Sequence, residues 1–212
     1  MENTANHIAL CGTLAGLPAF SHENHGRRFY RFPLEVGRLS GASDTLEIVA
    51  AEELLNAEAL GGGSMIAVTG QIRSFNSRRD TGRRLVISVF ASEIRLTDGE
   101  SVNEAELTGT ICKAPVYRRT PLGREICDVM LAVGRPYRRT DYLPCILWGR
   151  SAQEASGLPV GSRLRLTGRL QSREYVKLLD SGSEKRTAYE ISAITAEVLP
   201  EEPAGGGADG AE

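Results

Sequence analysis

Cysteine, histidine, lysine and tryptophan are all scarce in this 212-residue chain, and each scarcity closes off a class of function. The four cysteines (Cys11, Cys112, Cys127, Cys145) form no C-x-x-C pair and have no histidine cluster beside them, which argues against a zinc site. They read as small buried hydrophobes in a reducing compartment. A nucleophilic cysteine needs a nearby base, and all three histidines (His7, His22, His25) lie early in the chain. No glycine-rich nucleotide loop and no Ser/His/Asp constellation occurs, so neither an enzyme nor a cofactor or metal is expected. An apolar run of roughly 18 residues, the minimum for a membrane helix, is missing too. The opening M-E-N-T-A-N-H lacks the basic and apolar regions of a secretory signal, so a cytoplasmic location is expected.

The scarcity of lysine has a positive side. Only Lys113, Lys177 and Lys185 accompany the arginines, and arginine is the cation that stacks on bases and forks onto phosphate. The formal net charge of −2 hides a regional split. Residues 1–98 sum to −1, residues 99–200 to +3, and residues 201–212 carry four acids and no base. Solvation of a polar surface remains the plain reading of most of these charges.

What is abundant is internal repetition. N-H-I-A-L-C-G-T-L (6–14) recurs as N-E-A-E-L-T-G-T-I (103–111), so that Asn6, Leu10, Gly12 and Thr13 return 97 positions later. L-E-V-G-R (34–38) meets L-A-V-G-R (131–135) at the same offset, and V-T-G-Q-I-R-S (68–74) meets L-T-G-R-L-Q-S (166–172) at 98. The chain is therefore expected to hold two copies of one domain, residues 1–98 and 103–199, followed by an acidic, Gly/Ala-rich disordered tail at 200–212.

Each copy reads as strand. In the second, segments 106–112, 124–133, 142–148, 162–172 and 188–199 read as strands; 162–172 alternates apolar and polar residues, and 124–133 does so with a slip that suggests a bulge. A helix is expected between the third and fourth strands at 150–161, and a better one at the counterpart 52–63, where Leu54, Leu55 and Ala59 share a side. An all-β fold of five strands with that helix has the element order of an OB-fold, a Greek-key barrel, although other five-stranded barrels suit the periodicity equally.

Residues 103–199 resemble the bacterial single-stranded DNA-binding protein (SSB) family over nearly the whole domain. The resemblance rests on the L-x-G opener, K-x-P…R-x-T-P-x-G, L-A-V-x-R-x-Y, T-D-Y-x-P…W-G and G-R-L-Q-S-R-x-Y, in order and at family spacing. It implies two tandem OB-folds and single-stranded DNA binding with little base preference, in support of replication, recombination or repair at the bacterial nucleoid. It also implies pairing of two such chains into a four-barrel homodimer, with replication proteins as further partners and no membrane. The alternative is an interaction module that pairs with an SSB or primosome component and touches DNA weakly. The acidic tail lacks the terminal hydrophobic residue by which the family recruits partners.

Sequence-tolerant single-strand binding needs flat rings for the bases and cations along the backbone. The second copy offers Tyr137, Tyr142, Trp148 and Tyr175, at positions where the family carries stacking aromatics, with Tyr117 as a further candidate. Arg118, Arg119, Arg135, Arg138, Arg139, Arg150 and Arg173 flank them. The competing reading of each ring is packing. The same columns of the first copy hold Ser40, Thr45, Ala51 and Ser77, none aromatic. There Phe29 and Phe32 read as core, Phe75 as a substitute platform, and Arg73, Arg78, Arg79, Arg83 and Arg84 either as phosphate contacts or as a solvated hairpin. The expectation is a division of labour, with the second copy binding and the first supplying a pairing surface.

Overall fold

Alternation with period two places one side chain inward and the next outward, and strands such as Ser43–Ala51 and Glu125–Arg135 follow it over most of their length. The computed structural model describes residues 5–55, 61–79, 82–179 and 182–200. Strands β1 (Asn6–Leu14), β2 (Ala19–Asn24), β3 (Arg27–Gly37), β4 (Ser43–Ala51), β5 (Met65–Arg79) and β6 (Gly82–Leu96) form the first half. Strands β7 (Val102–Ile111), β8 (Val116–Arg119), β9 (Glu125–Arg135), β10 (Arg139–Trp148), helix α1 (Gly149–Ser156), β11 (Arg163–Leu179) and β12 (Gly182–Leu199) form the second.

In the second half β7 pairs with β9 and β11, β9 with β10, and β11 with β12, all antiparallel, while β10 closes the ring by running parallel to β12. The circuit β7-β9-β10-β12-β11 is the five-stranded barrel of an OB-fold. The first half repeats it as β1-β3-β4-β6-β5, again closed by a parallel pair, β4 with β6. The short strands β2 and β8 add a sixth ribbon to each, paired with β3 and β9.

Two local expectations change. Of the stretch 52–63, Glu52–Leu54 make a single 3-10 turn and Leu55 is extended, while residues 56–60, Ala59 among them, lie outside the described residues. The helix forms in the second half, where α1 buries Ala152 and Ala155. The slip in the second strand is no bulge, because β9 and β10 stay in register from Arg135↔Arg139 to Ile126↔Trp148. Cys127 is the inward residue there, and Ile126 belongs to the outer face. The bulges sit in the duplicated T-G of β5 and β11, where register shifts at Thr69/Gly70 and Thr167/Gly168. A Cβ on Gly70 or Gly168 would lie 2.2 or 2.3 Å from the carbonyl oxygen of Phe90 or Ser192, so only glycine fits.

Leu131, Leu143, Leu147, Leu166 and Leu170 fill the second barrel, with Leu34, Leu46, Ile48, Val68 and Ile72 in the first. Cys11, Cys127 and Cys145 are buried free thiols, and burial pushes the Cys145 pKa far up, which keeps it protonated and inert. Among the described residues no helix is long and apolar enough to cross a membrane.

The halves join through β1 and β7, which pair antiparallel from Asn6↔Leu107 to Cys11↔Val102. Asn6 faces Leu107 while Leu10 faces Asn103, so the junction is isologous, as in a two-fold dimer. Behind it each asparagine clamps its own barrel. The Asn6 amide donates to Ile72 O (2.7 Å) and accepts from Ile72 N (2.8 Å), and Asn103 does the same with Leu170 (2.8 and 3.0 Å).

Two aspartates complete the join crosswise. Asp44, fully buried, accepts from Ser172 N at 2.7 Å in the other half, and Asp141, also fully buried, accepts from Ser74 N at 2.6 Å. The serine hydroxyls return the favour, accepting from Thr45 N (3.2 Å) and Tyr142 N (2.7 Å). Asp141 is thus a pin between the barrels, whereas Asp128 lies on the surface, paired with Arg118.

Candidate nucleic-acid interface

Because Leu143, Cys145 and Leu147 of β10 point into the barrel, Tyr142, Pro144, Ile146 and Trp148 share its outer face. Tyr142 and Trp148 are 45% and 36% exposed, so neither is core. The Trp148 indole Nε1 donates to Ser192 Oγ at 3.1 Å on neighbouring β12, which fixes the ring and leaves a face open. Six residues along an extended strand is about 20 Å, so the two rings mark the ends of a track.

Tyr137 stands at one end of that track, in the 3-10 turn Pro136–Arg138 between β9 and β10. It is 95% exposed and its φ is 61°, with Arg138 at 54°. Two consecutive non-glycine residues in the left-handed region cost roughly 1–2 kcal/mol each. Strain of this kind with no packing in return is characteristic of a residue presented for contact.

At the other end the outer faces of β8 to β12 enclose a cleft of about 850 Å³, lined by Trp148, Ile126, Arg118, Arg124, Arg169 and Arg173. Arg38, from the first half, reaches into the same cleft. The Nε of Arg169 is buried without a hydrogen-bond partner, a donor left over in a cationic hollow. Arg173 lies 5.9 Å from the Tyr175 ring centroid. Arg118 forks onto Asp128 (2.6 and 3.1 Å), an exposed pair of the kind worth little and easily exchanged for phosphate. Arg119 pairs with Glu125 at 2.9 Å, and Arg150 with Glu154 at 2.8 Å. The Tyr117 hydroxyl, with Arg119 and Gln153, holds the Glu125 carboxyl below its ordinary pKa.

The sequence-chosen residues therefore divide. Trp148, Arg118 and Arg173 meet in the cleft, Tyr142, Tyr137, Arg138 and Arg139 lie along the β10 track, and Tyr175 stands beside Arg173. Arg135 does not join them. Its guanidinium is turned into the junction, 3.0 Å from Asp141, with Arg73 on the same carboxylate at 3.7 Å. Burial, and then the nearby Arg135, lower the Arg73 pKa. Phe75 is 57% exposed on β5. The side chains of Arg78 and Arg79 lie outside the described residues.

Sequence reasoning missed Arg124, Arg169 and Arg38. A signal existed for Arg169, since the neighbouring Leu170 points inward and alternation turns Arg169 outward. None existed for Arg38, whose column partner is Arg135.

The first barrel has lost its rings by column but not in space. Ala51, in the Trp148 column, is buried, and Phe29 faces it from β3. Phe29 stacks on His22 (4.9 Å, 10°) and meets Phe90 at 5.7 Å. His22 pairs with Phe29 as Arg118 pairs with Ile126, and Phe90 pairs with Val49 as Ser192 pairs with Ile146. Three rings thus fill the place where the second barrel opens its cleft. The neighbouring Arg27 and Arg28 are occupied by Glu53 and Glu52 at 3.0 Å.

With this geometry in view, residues 102–199 match the single-strand binding protein family. The chain is 32% identical over 116 residues to the single-stranded DNA-binding protein A of Bacillus subtilis, covering 51% of this chain and 64% of that one. It is 29% identical over 117 residues to the single-stranded DNA-binding protein of Oceanobacillus iheyensis, covering 51% and 70%. The chain thus spans only about two thirds of the length of these curated relatives. The crystal structure of the single-stranded DNA binding protein from Thermus aquaticus superposes on 95% of the chain with a TM-score of 0.77 at 23% identity, covering 96% of that chain. The likeness extends the two-barrel fold over both halves.

Proposed function

We propose that this chain, whose second barrel matches the single-strand binding protein family, binds single-stranded DNA with little base preference, in support of replication, recombination or repair. The observation that carries the reading is the Arg-lined cleft ending on the half-exposed Trp148, with the unpartnered Nε of Arg169 inside it. Rings take the bases, one to three kcal/mol each on the usual scale (roughly), and arginines take the phosphates. Nothing in this mechanism makes or breaks a bond; the site works by stacking and charge. A cytoplasmic, nucleoid-associated location suits such a partner.

Work is divided between the barrels. The second offers the open cleft, whereas the first has filled the corresponding space with Phe29, Phe90 and His22 and supplies the pairing surface. Two chains then assemble into a four-barrel unit. The outer face around the β1–β7 junction suits that role: His7, Ala9, Glu104, Glu106 and Thr167 line a shallow hollow there, beside the exposed Ile194.

A gel shift with oligothymidylate against matched duplex at low salt tests the main reading. Tight binding to the oligonucleotide alone supports it, and negligible binding favours an interaction module instead. Light scattering of free and oligonucleotide-bound protein reads the assembly, and a monomeric mass in both states removes the four-barrel proposal.

A further inference from the structure

The cleft of the second barrel includes one residue that is not from that barrel. Arg38 lies at the end of β3 in the first half, yet it lines the cleft with Arg169, Gln171 and Arg173. Its Nε donates to Asp44 Oδ2 at 2.7 Å, and its Nη2 donates to Asp44 Oδ1 and, at 3.3 Å, to Ser172 O. Asp44 in turn accepts from Ser172 N (2.7 Å) and Ser172 Oγ (3.2 Å). The N–H and the C=O of one residue are therefore both held by the other barrel.

The position of that residue gives the clamp its meaning. β11 pairs with β7 only from Arg163 to Gly168 and beyond that has β12 alone for a neighbour. The Ser172 stretch is an open edge, whose backbone groups need partners other than a strand. Ser172 lies between Gln171 and Arg173, both of which line the cleft, and Arg173 sits over Tyr175. What fixes Ser172 fixes the spacing of those groups. The Asp44 hydrogen bond raises the Arg38 pKa, with Glu190 across the cleft adding to it, so the guanidinium stays charged.

We propose that the first barrel is a working part of the second barrel's nucleic-acid groove. Arg38 and Asp44 position the Ser172–Tyr175 segment of β11, and Arg38 itself contacts the phosphate backbone of the bound strand through Nη1, which none of the contacts above engages. The inference rests on the nucleic-acid reading of the cleft. It makes the first barrel more than a pairing surface, and it predicts that the reciprocal Arg135, whose guanidinium shares Asp141 with Arg73, has no such part.

The test is fluorescence anisotropy of a labelled oligothymidylate with the full chain, titrated at several salt concentrations, for wild type, Arg38→Gln and Arg38→Lys. Arg38→Gln is expected to weaken binding roughly ten-fold, as befits a lost charge-assisted hydrogen bond. It should also flatten the slope of log affinity against log salt by about 0.7, the contribution of one phosphate on a single strand. Arg38→Lys keeps the charge but not the fork, so it should retain the slope while losing part of the affinity. A wild-type slope in Arg38→Gln overturns the inference, whatever its melting temperature, because a purely structural residue alters stability and not the count of phosphates. If Arg38→Gln does not fold, Arg38→Lys decides: affinity equal to wild type overturns the proposal. Failure of wild type to bind oligothymidylate is seen before any variant is compared, and it strikes the nucleic-acid reading first.

Discussion

Ile8 faces Ala105 across the barrel junction, and Ala105 is its own counterpart 97 positions later. The pseudo-two-fold axis therefore passes through this pair, and the asparagine clamps and aspartate–serine pins on one side have partners on the other. Departures from that symmetry carry the functional information.

Where the symmetry holds, it should be measurable. Asn6→Ala and Asn103→Ala each remove an amide that satisfies both backbone groups of one residue, Ile72 or Leu170. Each is expected to cost about 1–3 kcal/mol, since the orphaned groups are buried or partly so. Denaturant midpoints of the two variants should fall by comparable amounts. A loss confined to one of them would contradict the equivalence of the two clamps.

Asp141→Ala should be far more damaging. It strips the partner from Ser74 N and leaves Arg135 and Arg73 facing each other without their shared carboxylate. Removing one partner of a buried ion pair costs roughly 3–5 kcal/mol. For a chain of this size that is a drop of about 6–20 °C in melting temperature, at roughly 2–4 °C per kcal/mol. A shift within a degree or two of wild type would remove Asp141 from the junction.

Tyr137→Gly is expected to move stability and binding in opposite directions. Glycine relieves the left-handed backbone at φ 61°, and the exposed ring loses no packing, so the melting temperature should hold or rise slightly. Loss of the ring should weaken oligothymidylate binding by about 1–3 kcal/mol, and Tyr137→Ala combined with Trp148→Ala by roughly twice that. Ser40→Ala, in the Tyr137 column of the first copy, should leave binding as it was. Unchanged affinity in the double variant would sink the platform assignment.

Arg169→Gln tests the cleft from the cationic side. With no partner at Nε to lose, the variant should melt near wild type, yet its salt slope should flatten by about 0.7. A steep slope retained in full would mean that Arg169 meets no phosphate.

Much of this was legible in the chain. Alternation through Leu143, Cys145 and Leu147 implied that Tyr142 and Trp148 face outward together, because strand periodicity depends only on local backbone geometry. The repeated N-x-x-x-L-x-G-T, L-x-V-G-R and T-G-x-x-x-S blocks already contained the parts of the junction: Asn6, Arg38 and Ser74 with their partners Asn103, Arg135 and Ser172. What they do for each other was not legible, since Asp44 meets Ser172 across 128 positions and two barrels.

The column comparison of the two copies was informative and incomplete for a related reason. It follows the order of residues along one strand, whereas stacking depends on neighbours across strands. Ala51 marks the loss of a ring on β4, yet Phe90 restores one from β6 and Phe29 and His22 from β3 and β2. By itself the sequence determined two copies of one strand-rich unit, through repetition and local period, and, through its resemblance to a family, which copy keeps the aromatic columns. Only the tertiary structure decided that Arg135 turns inward, that His22, Phe29 and Phe90 gather at the first barrel's counterpart of the cleft, and that Arg38 crosses into the second. Those outcomes depend on which side chains converge from strands far apart in the chain.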